Sequence, residues 1–346
     1  MRPWRYAVPA PIRHAASAWL ARHSSARLQR ELASMAERPG PIVVGPWLGE
    51  VGFELLYWIP FLRWITDRFG IGPERLVVIS RGGTASWYRS LSSRYFDAFD
   101  DVTPEVFRQQ HHDRVRTIGE QKQRRVAAFD DTLVESVVRR ASLADWSLLH
   151  PSRMYDLLDP YWWGHVSIDW VHEHARYAPL PEVPHEAFSE TPGPYVAVKF
   201  YFNECFPATD ANRAFAREVL RALAARGPVV ALSTGLDIDD HGGVCVDDLG
   251  IRYLPSRLEP ATNLQVQSAV VSRARAFVGT YGGFSYLAPF YGVRSVALFS
   301  KPDGFSRKHL HVAQSAFGLI GASGLLSLDD VAAGTSIADR AWAVTA

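Results

Sequence analysis

The chain has 346 residues, of which 47% are hydrophobic, and its 37 lysines and arginines are balanced by 36 aspartates and glutamates. This length is typical of two domains of ordinary size, and the near-neutral charge argues against a dedicated nucleic-acid-binding protein, which would show a clear basic excess. The two cysteines, Cys205 and Cys245, lack the CxxC spacing of a zinc site, and no apolar run is long enough to span a bilayer, so we expect a cytoplasmic protein.

Residues 1–38 are predicted to form a basic, amphipathic N-terminal segment. Arginines occur repeatedly before the first acidic residue, Glu31, and they alternate with Trp4, Tyr6 and Trp19. These interruptions exclude a secretory signal peptide. We expect a helix that packs on the protein surface; the alternative is contact with anionic lipid headgroups at the inner face of the cell membrane.

Residues 39–190 are predicted to form the first of two Rossmann-like domains. PIVVGP at 41–46 is a short apolar strand, residues 51–69 have a helical pattern, and RLVVIS at 75–80 is the next strand. Strand, helix and strand in this order predict a parallel crossover unit. The middle of the chain is a less regular insertion with helical and aromatic segments, and it ends in a proline-rich stretch that is the best linker candidate.

Two glutamates at the start of the first predicted helix are the catalytic candidates. Glu50 follows Gly49, and Glu54 lies one helical turn later, beyond Gly52. A carboxylate at the mouth of a cleft can accept the proton of an attacking hydroxyl, and a second carboxylate nearby can raise the pKa of the first. The alternative is that both are helix-cap acids, which favour the positive end of the helix dipole.

The molecule whose hydroxyl would lose this proton, which we call the acceptor, is predicted to bind beside this helix. An aromatic and basic cluster at 150–163 is of the kind that stacks on sugars and holds anionic groups, and core packing is its alternative explanation. The turn after the second strand, at 81–84, is also expected to reach the cleft. The predicted acceptor-binding residues are Gly49, Gly52, Arg81, His150, Arg153 and Tyr155.

Residues 191–346 are predicted to form the second Rossmann-like domain. Strands are expected at 195–202, 228–235, 243–246, 276–280 and 295–300, with helices at about 210–226 and 263–275 and a short helix at 284–291. Uninterrupted runs of Val, Ile and Leu are typical of strands that are buried on both faces of a sheet.

A glycine turn after the strand at 276–280 is predicted to hold a diphosphate. Glycines at 279, 282 and 283 leave backbone N–H groups and a helix N-terminus open to an anion, and this place lies at the carboxyl end of a strand, where ligands bind in open α/β sheets. The alternative is that the glycines only permit a tight turn. Lys199 is costly to bury unless its charge is paired. A diphosphate would pair that charge, unless the side chain points to solvent at the strand end.

The ligand that carries this diphosphate, which we call the donor, is therefore expected to bind to the second domain, and residues 259–263 fall where folds of this kind commonly receive base and ribose. The predicted donor-binding residues are Lys199, Asn203, Glu259, Asn263, Thr280, Tyr281, Gly282, Gly283, Phe284 and Ser285.

The segment VGTYGGFSYLAPFYGVRSVALFS at 278–300 resembles the nucleotide-sugar segment of bacterial heptosyltransferases (ADP-heptose:LPS) and related enzymes of the glycosyltransferase B fold. Gly283, Gly292 and the strand at 296–299 match the family pattern, whereas Tyr281, Gly282 and Tyr286 stand where the family has Asp, Thr and His. In the first half, LGEVGFE at 48–54 is similar to the family's Gly-Asp turn. This resemblance implies that Glu50 is the general base.

Together these observations predict an α/β fold with two Rossmann-like domains facing across a cleft, the glycosyltransferase B type. The resemblance implies a glycosyltransferase with a nucleotide-sugar donor and a glycan, lipid-linked or small-molecule acceptor. We expect an inverting reaction without a cofactor, in which the nucleotide-sugar is a substrate. We also expect metal independence, because the adjacent aspartate pairs lack the Asp-x-Asp spacing that chelates a metal-diphosphate.

Two other functions remain open from the sequence. The first is another group transferase on the same architecture, such as a polysaccharide pyruvyl transferase, although the Arg-x-His turn typical of those enzymes is missing. The second is a non-catalytic nucleotide- or sugar-binding protein. A dinucleotide oxidoreductase is disfavoured, because no GxGxxG follows the first strand.

Overall fold

The structure, a computed structural model, describes residues 10–120, 122–188, 193–232, 250–254, 258–331 and 336–342. Over these residues the chain folds into two parallel β-sheets, one in each half, with helices packed against them. The predicted fold class of two Rossmann-like α/β domains is thereby confirmed. The strand predicted at 243–246, and the last three residues of the strand predicted at 228–235, lie outside the described residues.

The central strands of the first sheet are buried on both faces. The sheet runs in the order β3-β2-β1-β4, where the strands are β1 (Ile42–Val44), β2 (Leu76–Ser80), β3 (Arg94–Asp97) and β4 (Ser147–Leu149). Ile42 and Val44 face the main hydrophobic core, whereas Val43 packs with Val134 and Val137 on the opposite face. Because side chains alternate along a strand, these apolar runs fill both faces of the sheet.

The helices of the first half cover this sheet, and one of them changes its winding. They are α1 (Ala10–Glu37), α2 (51–69), α3 (Pro104–Ile118), α4 (Ala128–Arg140), α5 (Ser152–Trp162) and α6 (Asp169–Glu173). Within α2, Val51–Phe53 is α-helical, Glu54–Trp58 is π-helical and Ile59–Phe69 is α-helical again. Single π-helical turns inside α-helices occur frequently at functional sites, and this one begins at Glu54.

The second sheet reverses its strand order between β5 and β8. It runs in the order β10-β9-β8-β5-β6-β7, where the strands are β5 (Val196–Lys199), β6 (Val229–Ala231), β7 (Arg252–Tyr253), β8 (Ala276–Thr280), β9 (Arg294–Phe299) and β10 (Leu326–Asp330). Counted from β5, this is the 3-2-1-4-5-6 order of dinucleotide-binding sheets, whose ligands bind outside the carboxyl ends of the strands at the reversal. Lys199 and Thr280 therefore lie at the expected ligand position.

The helices of the second half pack by apolar faces. They are α7 (Asp210–Ala224), α8 (Asn263–Arg273), α9 (Gly283–Phe290), α10 (Arg307–Leu319) and α11 (Ser336–Trp342). In α7 the buried residues Ala216, Val219, Leu220 and Leu223 recur at three- to four-residue spacing, which places them on one side of the helix. The side chains of α9 from Phe284 onward are all buried, so this short helix is fixed by packing on every side.

The two halves share one hydrophobic core and touch along their facing edges. The segment that joins the sheets bonds to both sides: the Arg176 N–H donates to the Pro60 carbonyl, and the Leu180 N–H donates to the Phe290 carbonyl, each at 2.9 Å. The domain limits of 1–38, 39–190 and 191–346 stay predictions. Within the described ranges, no helix combines the length and the apolar character that a membrane crossing requires.

Candidate active site

The N-termini of α2 and α9, from opposite halves, meet at Gly52 and Gly283, a contact that we call the helix junction. A Cβ at Gly283 would lie 2.8 Å from the backbone nitrogen of Gly52, and a Cβ at Gly52 would lie 3.2 Å from the Cα of Gly283. The two backbones thus approach as closely as glycine allows. Because each helix N-terminus carries a partial positive charge, the junction favours an anion.

Gly283→Ala is expected to lower the free energy of unfolding by roughly 1–3 kcal/mol, the usual cost of adding volume where neighbours cannot move. The added Cβ would meet the backbone of Gly52, whereas at Gly282 it would meet the hydroxyl end of the Tyr201 side chain. We therefore expect Gly282→Ala to be milder, and urea unfolding of both variants measures the difference. Equal stabilities would show that the two helices do not meet in this way.

Lys199, at the carboxyl end of β5, lies beside the helix junction. Its ammonium donates to Gln267 Oε1 at 2.6 Å and lies 3.7 Å from the centroid of the Phe284 ring. The Gln267 amide in turn donates to Asn263 Oδ1 at 2.9 Å. The structure therefore joins three of the predicted donor-site residues, Lys199, Asn263 and Phe284, and a half-buried ammonium in this place can bind a diphosphate oxygen.

The hydroxyl and amide side chains of the predicted donor site are engaged inside the protein. Thr280 Oγ1 accepts from the Tyr201 N–H at 3.1 Å and donates to the Tyr201 carbonyl at 2.8 Å. Ser285 Oγ makes the same kind of reciprocal contact with the backbone of Gly282, and Asn203 donates to a carbonyl of the glycine turn at 3.1 Å. These three residues shape the turn, which leaves its half-exposed glycines, Gly282 and Gly283, to face a ligand.

The departures from the family pattern at Tyr281, Gly282 and Tyr286 are linked to one another. The hydroxyls of Tyr281 and Tyr286 are hydrogen-bonded, and their rings meet edge to face with centroids 5.6 Å apart. The hydroxyl of Tyr201 lies against Gly282, where a side chain would collide with it. Burial raises the pKa of Tyr281 to about 12, so its hydroxyl is protonated at neutral pH. A group of tyrosines thus borders the helix junction.

Glu50 lies immediately before α2 and is exposed to solvent. Its charge acts on two neighbours. Burial lowers the pKa of Lys122, and the Glu50 carboxylate opposes that shift; burial raises the pKa of Tyr155 well above its ordinary range, and Glu50 adds to it. The Lys122 ammonium also lies 3.9 Å from the centroid of the Phe53 ring. Glu50 is therefore a reachable carboxylate with a cation and a phenol beside it.

Sequence reasoning missed Lys122, which is brought to Glu50 by its neighbour Gln123. The Gln123 amide donates to the Pro46 carbonyl at 2.8 Å, and its oxygen accepts from the Leu48 N–H at 2.8 Å. Gln123 is buried, so it anchors the loop between α3 and α4 to the turn that precedes Glu50. No spacing in the sequence links these two segments, because the contact exists only in the folded chain.

His150, a predicted acceptor contact, is buried in a polar network. Its Nδ1 accepts from the Ser152 N–H at 3.1 Å, so Nε2 carries the proton and donates to Asp130 Oδ2 at 3.2 Å. Arg114 donates to the other oxygen of Asp130 at 2.5 Å, and all three charged or titratable side chains are buried. This arrangement supports the loop that carries Lys122 and gives His150 a structural environment.

Glu54, the second catalytic candidate, is fully buried, in contrast to Glu50. Its Oε1 accepts hydrogen bonds from the Ser80 hydroxyl at 2.7 Å and from the Tyr88 hydroxyl at 2.5 Å. Burial raises the pKa of Glu54 from its ordinary value of 4.5 to about 7, against the opposing charge of Arg81 and these two hydrogen bonds. The structure thus separates the two glutamates into a surface carboxylate and an interior one.

The interior glutamate predicts a specific pH dependence of stability. The folded protein keeps a proton on Glu54 that the unfolded chain loses between about pH 4.5 and pH 7, so this residue lowers stability as pH rises through that window, by roughly 3 kcal/mol in all. Glu54→Gln removes this titration, so its stability relative to the wild type is expected to rise by the same roughly 3 kcal/mol as pH rises through the window. Urea unfolding across this range measures it.

The matched control for this measurement is Glu50→Gln, which makes the same change of side chain at an exposed position. Burial also lowers the pKa of His309 to about 3. Below pH 6.5 the unfolded chain therefore binds a proton on His309 that the folded protein does not bind. This makes stability rise with pH, opposite to the effect of Glu54. Because His309 is present in both proteins, the difference between wild type and Glu54→Gln isolates Glu54. Identical slopes would contradict the described burial.

The turn after β2 contacts the second half of the chain. The buried guanidinium of Arg81 donates to the Gly49 carbonyl, and the Gly82 carbonyl accepts from the N–H groups of Leu264 and Gln265 at 2.7 and 3.0 Å. This turn therefore caps the N-terminus of α8. It connects the segment that carries Glu50 with the helix that holds the partners of Lys199.

His309 of α10 is a further residue between the halves that sequence reasoning missed. Its Nδ1 lies 2.6 Å from the hydroxyl of Tyr57 in a hydrogen bond, and its ring packs edge-on against Phe53 with centroids 4.6 Å apart. Burial, with the charge of Lys122 as a smaller cause, keeps the imidazole neutral. Because it lies in an amphipathic helix of ordinary pattern, the sequence gave no indication that it would lie between the two halves.

Two predicted residues lie apart from these contacts. Arg153 is half-exposed and makes ion pairs with Glu31 at 3.4 Å and with Asp156 at 3.6 Å, on the side of α5 that faces α1. Glu259 is exposed, and its carbonyl accepts from the N–H of Thr262 at 3.0 Å just before α8.

Comparisons with known proteins find structural similarity without sequence similarity. No protein-family model and no curated protein sequence matches the chain. The dodecameric, iron-containing glycosyltransferase TibC from enterotoxigenic E. coli H10407 is similar over 76% of this chain at 13% identity and a TM-score of 0.43, and this chain spans 59% of its length. For ADP-heptose LPS heptosyltransferase II of E. coli the coverage is 84% of this chain and 90% of that one, at 12% identity and a TM-score of 0.45.

A family 9 glycosyltransferase from Veillonella parvula DSM 2008 is similar over 84% of this chain and 86% of its own, at 11% identity and a TM-score of 0.42. Heptosyltransferases, to which the motif in the second half was compared, are thus among the structures that the chain resembles over most of its length. At such identities the likeness concerns the fold alone.

Proposed function

We propose that the chain is a glycosyltransferase that moves a sugar from a nucleotide-sugar donor to a glycan, a lipid-linked or a small-molecule acceptor. The observation that carries this proposal is the helix junction. There the half-exposed Gly283, at the strand-order reversal of the second sheet, meets the helix of the first half that begins just after Glu50. An anion site and a reachable carboxylate from opposite halves are the two parts that such a transfer needs.

In this proposal the donor diphosphate binds to the second half. The backbone N–H groups at the start of α9 and the ammonium of Lys199 would face its oxygens, with Asn263 and Glu259 on the side of base and ribose. Helix N-termini and a fixed cation stabilise charge that develops on a leaving diphosphate. We therefore propose a reaction that does not require a metal ion, with the nucleotide-sugar as a substrate and no cofactor.

Glu50 is proposed as the general base. Its exposed carboxylate would take the proton of the acceptor hydroxyl as the oxygen attacks the anomeric carbon, which is the course of an inverting single displacement. Lys122 supplies a positive charge beside this carboxylate. Glu54 is fully buried, so we assign it a positioning role, in which it fixes the start of α2 through Ser80 and Tyr88.

Release of the free nucleotide from a panel of nucleotide-sugars tests this proposal, with water as a slow acceptor. We expect one donor to give nucleotide release that is proportional to protein concentration and is lost in Glu50→Gln. Binding of a nucleotide-sugar without any release, even with added glycan acceptors, would identify a non-catalytic binding protein instead. The assay separates the two functions because binding is measured in the same samples.

A further inference from the structure

The first 30 residues of the chain form its most strongly basic segment. They contain six arginines and neither aspartate nor glutamate, although the whole chain has a formal charge of only +1. The remainder of the chain is therefore net negative. An acidic surface would attract this positive segment, whereas it would not attract the net-negative remainder of the molecule.

Helix α1, which contains the described part of this segment, packs against the rest of the protein through one of its faces. Leu28 and Leu32 are buried in the core, and Arg153 of α5 contacts Glu31 at 3.4 Å. Trp19 lies nine residues before Leu28, which corresponds to about half a turn around the helix axis, and its side chain is 57% exposed. The face that carries Trp19 therefore points away from the protein core.

Arginines accompany Trp19 on this outward side. Arg22, Arg27 and Arg30 are all exposed; at 100° per residue each lies within about 80° of Trp19. Arg27 makes an ion pair with Glu31 at 3.2 Å, with the two side chains 80% and 41% exposed. Such an exposed pair contributes little to stability, so it leaves the arginine able to exchange its partner for another anion.

We propose that this outward face of α1 binds an anionic lipid surface. The partner is identified by its chemistry: phosphate headgroups neutralise guanidinium groups at about 1 kcal/mol for each basic residue near the surface, and the amphipathic ring of an exposed tryptophan is suited to the headgroup level. The described helix would lie in the plane of the surface, held to the protein by its buried C-terminal half.

Co-sedimentation of the full chain with vesicles tests this proposal. Vesicles of phosphatidylglycerol mixed with phosphatidylcholine should bind the protein in a salt-sensitive manner, and vesicles of phosphatidylcholine alone should not. Arg22→Glu combined with Arg30→Glu is expected to weaken binding by roughly 25-fold or more, from about fivefold for each lost arginine contact. Trp19→Ala, which keeps the charge, should weaken it several-fold.

The matched control is Arg217→Glu combined with Arg221→Glu, which makes the same change in net charge on exposed positions of α7. It should bind vesicles as the wild type does, and the thermal midpoints of all variants should agree with that of the wild type. The proposal would be overturned if the control lost vesicle binding equally, or if the protein bound both vesicle types equally. Tighter binding to an oligonucleotide than to the acidic vesicles would also overturn it.

Discussion

Glu50→Gln is expected to lower the rate of sugar transfer by about 10²- to 10⁴-fold, the usual contribution of a positioned general base. The amide keeps the size and position of the carboxylate but cannot accept the proton of the attacking hydroxyl. Because Glu50 is exposed and belongs to the first half, donor binding to the second half should be unchanged. Steady-state nucleotide release and equilibrium binding of the nucleoside diphosphate, measured on the same variant, check both statements.

The control for this effect is Glu105→Gln, an exposed glutamate on α3, which should transfer at the wild-type rate. Wild-type turnover in Glu50→Gln would remove this residue from the mechanism.

Lys199→Met is expected to weaken nucleoside diphosphate binding by about 10- to 100-fold, since a hydrogen bond to a charged group contributes roughly 1.5–3 kcal/mol. Methionine keeps an unbranched apolar side chain of similar length and removes the ammonium, together with its contact with the Phe284 ring. The variant also leaves Gln267 without the donor that it meets at 2.6 Å. Isothermal titration with the diphosphate and with the corresponding nucleoside separates the causes, because only the diphosphate should lose affinity.

Lys301→Met serves as the control for Lys199→Met. Lys301 is an exposed lysine after β9, so its substitution removes the same charge from the same half of the protein. We expect it to bind the diphosphate as the wild type does. Equal weakening in both variants would mean that the lysines act through net charge, and unchanged binding in Lys199→Met would place the diphosphate elsewhere.

The elements of the fold were predictable because their signals are local. The buried strands are short uninterrupted apolar runs, and glycines mark the turn after β8. The same holds for Glu50, since an acid before an apolar helix can be recognised within a few residues. Lys199 stood out as a charge in an apolar strand, and the structure gives it the polar partner that such a position requires.

The difference between Glu50 and Glu54 could not be predicted, because it depends on tertiary packing. Both are glutamates one turn apart, yet only Glu54 meets Ser80, in β2, and Tyr88, in the short 3-10 helix Thr84–Tyr88. Lys122 and His309 were missed for the same reason. Each comes to the site from a distant part of the chain, through Gln123 in one case and through contacts with Tyr57 and Phe53 in the other.

The departures at Tyr281, Gly282 and Tyr286 have an explanation that pattern matching could not supply. A side chain at position 282 would collide with the hydroxyl of Tyr201, and the two other tyrosines bond to each other. Tyrosine side chains therefore fill the space around all three positions. We expect the sugar, rather than the diphosphate, to be the part of the donor that this group of tyrosines selects.

Thermal unfolding of the wild type in the presence of nucleoside mono- and diphosphates and nucleotide-sugars tests the central claim most directly. A ligand that is present at about 100 times its dissociation constant should stabilise the protein by about 2.7 kcal/mol. We predict a rise in the unfolding temperature with the diphosphate or sugar form of one base, a smaller rise with its monophosphate, and a loss of the rise in Lys199→Met. No rise with any uridine, guanosine, cytidine, adenosine or thymidine diphosphate compound would contradict a donor site at the helix junction.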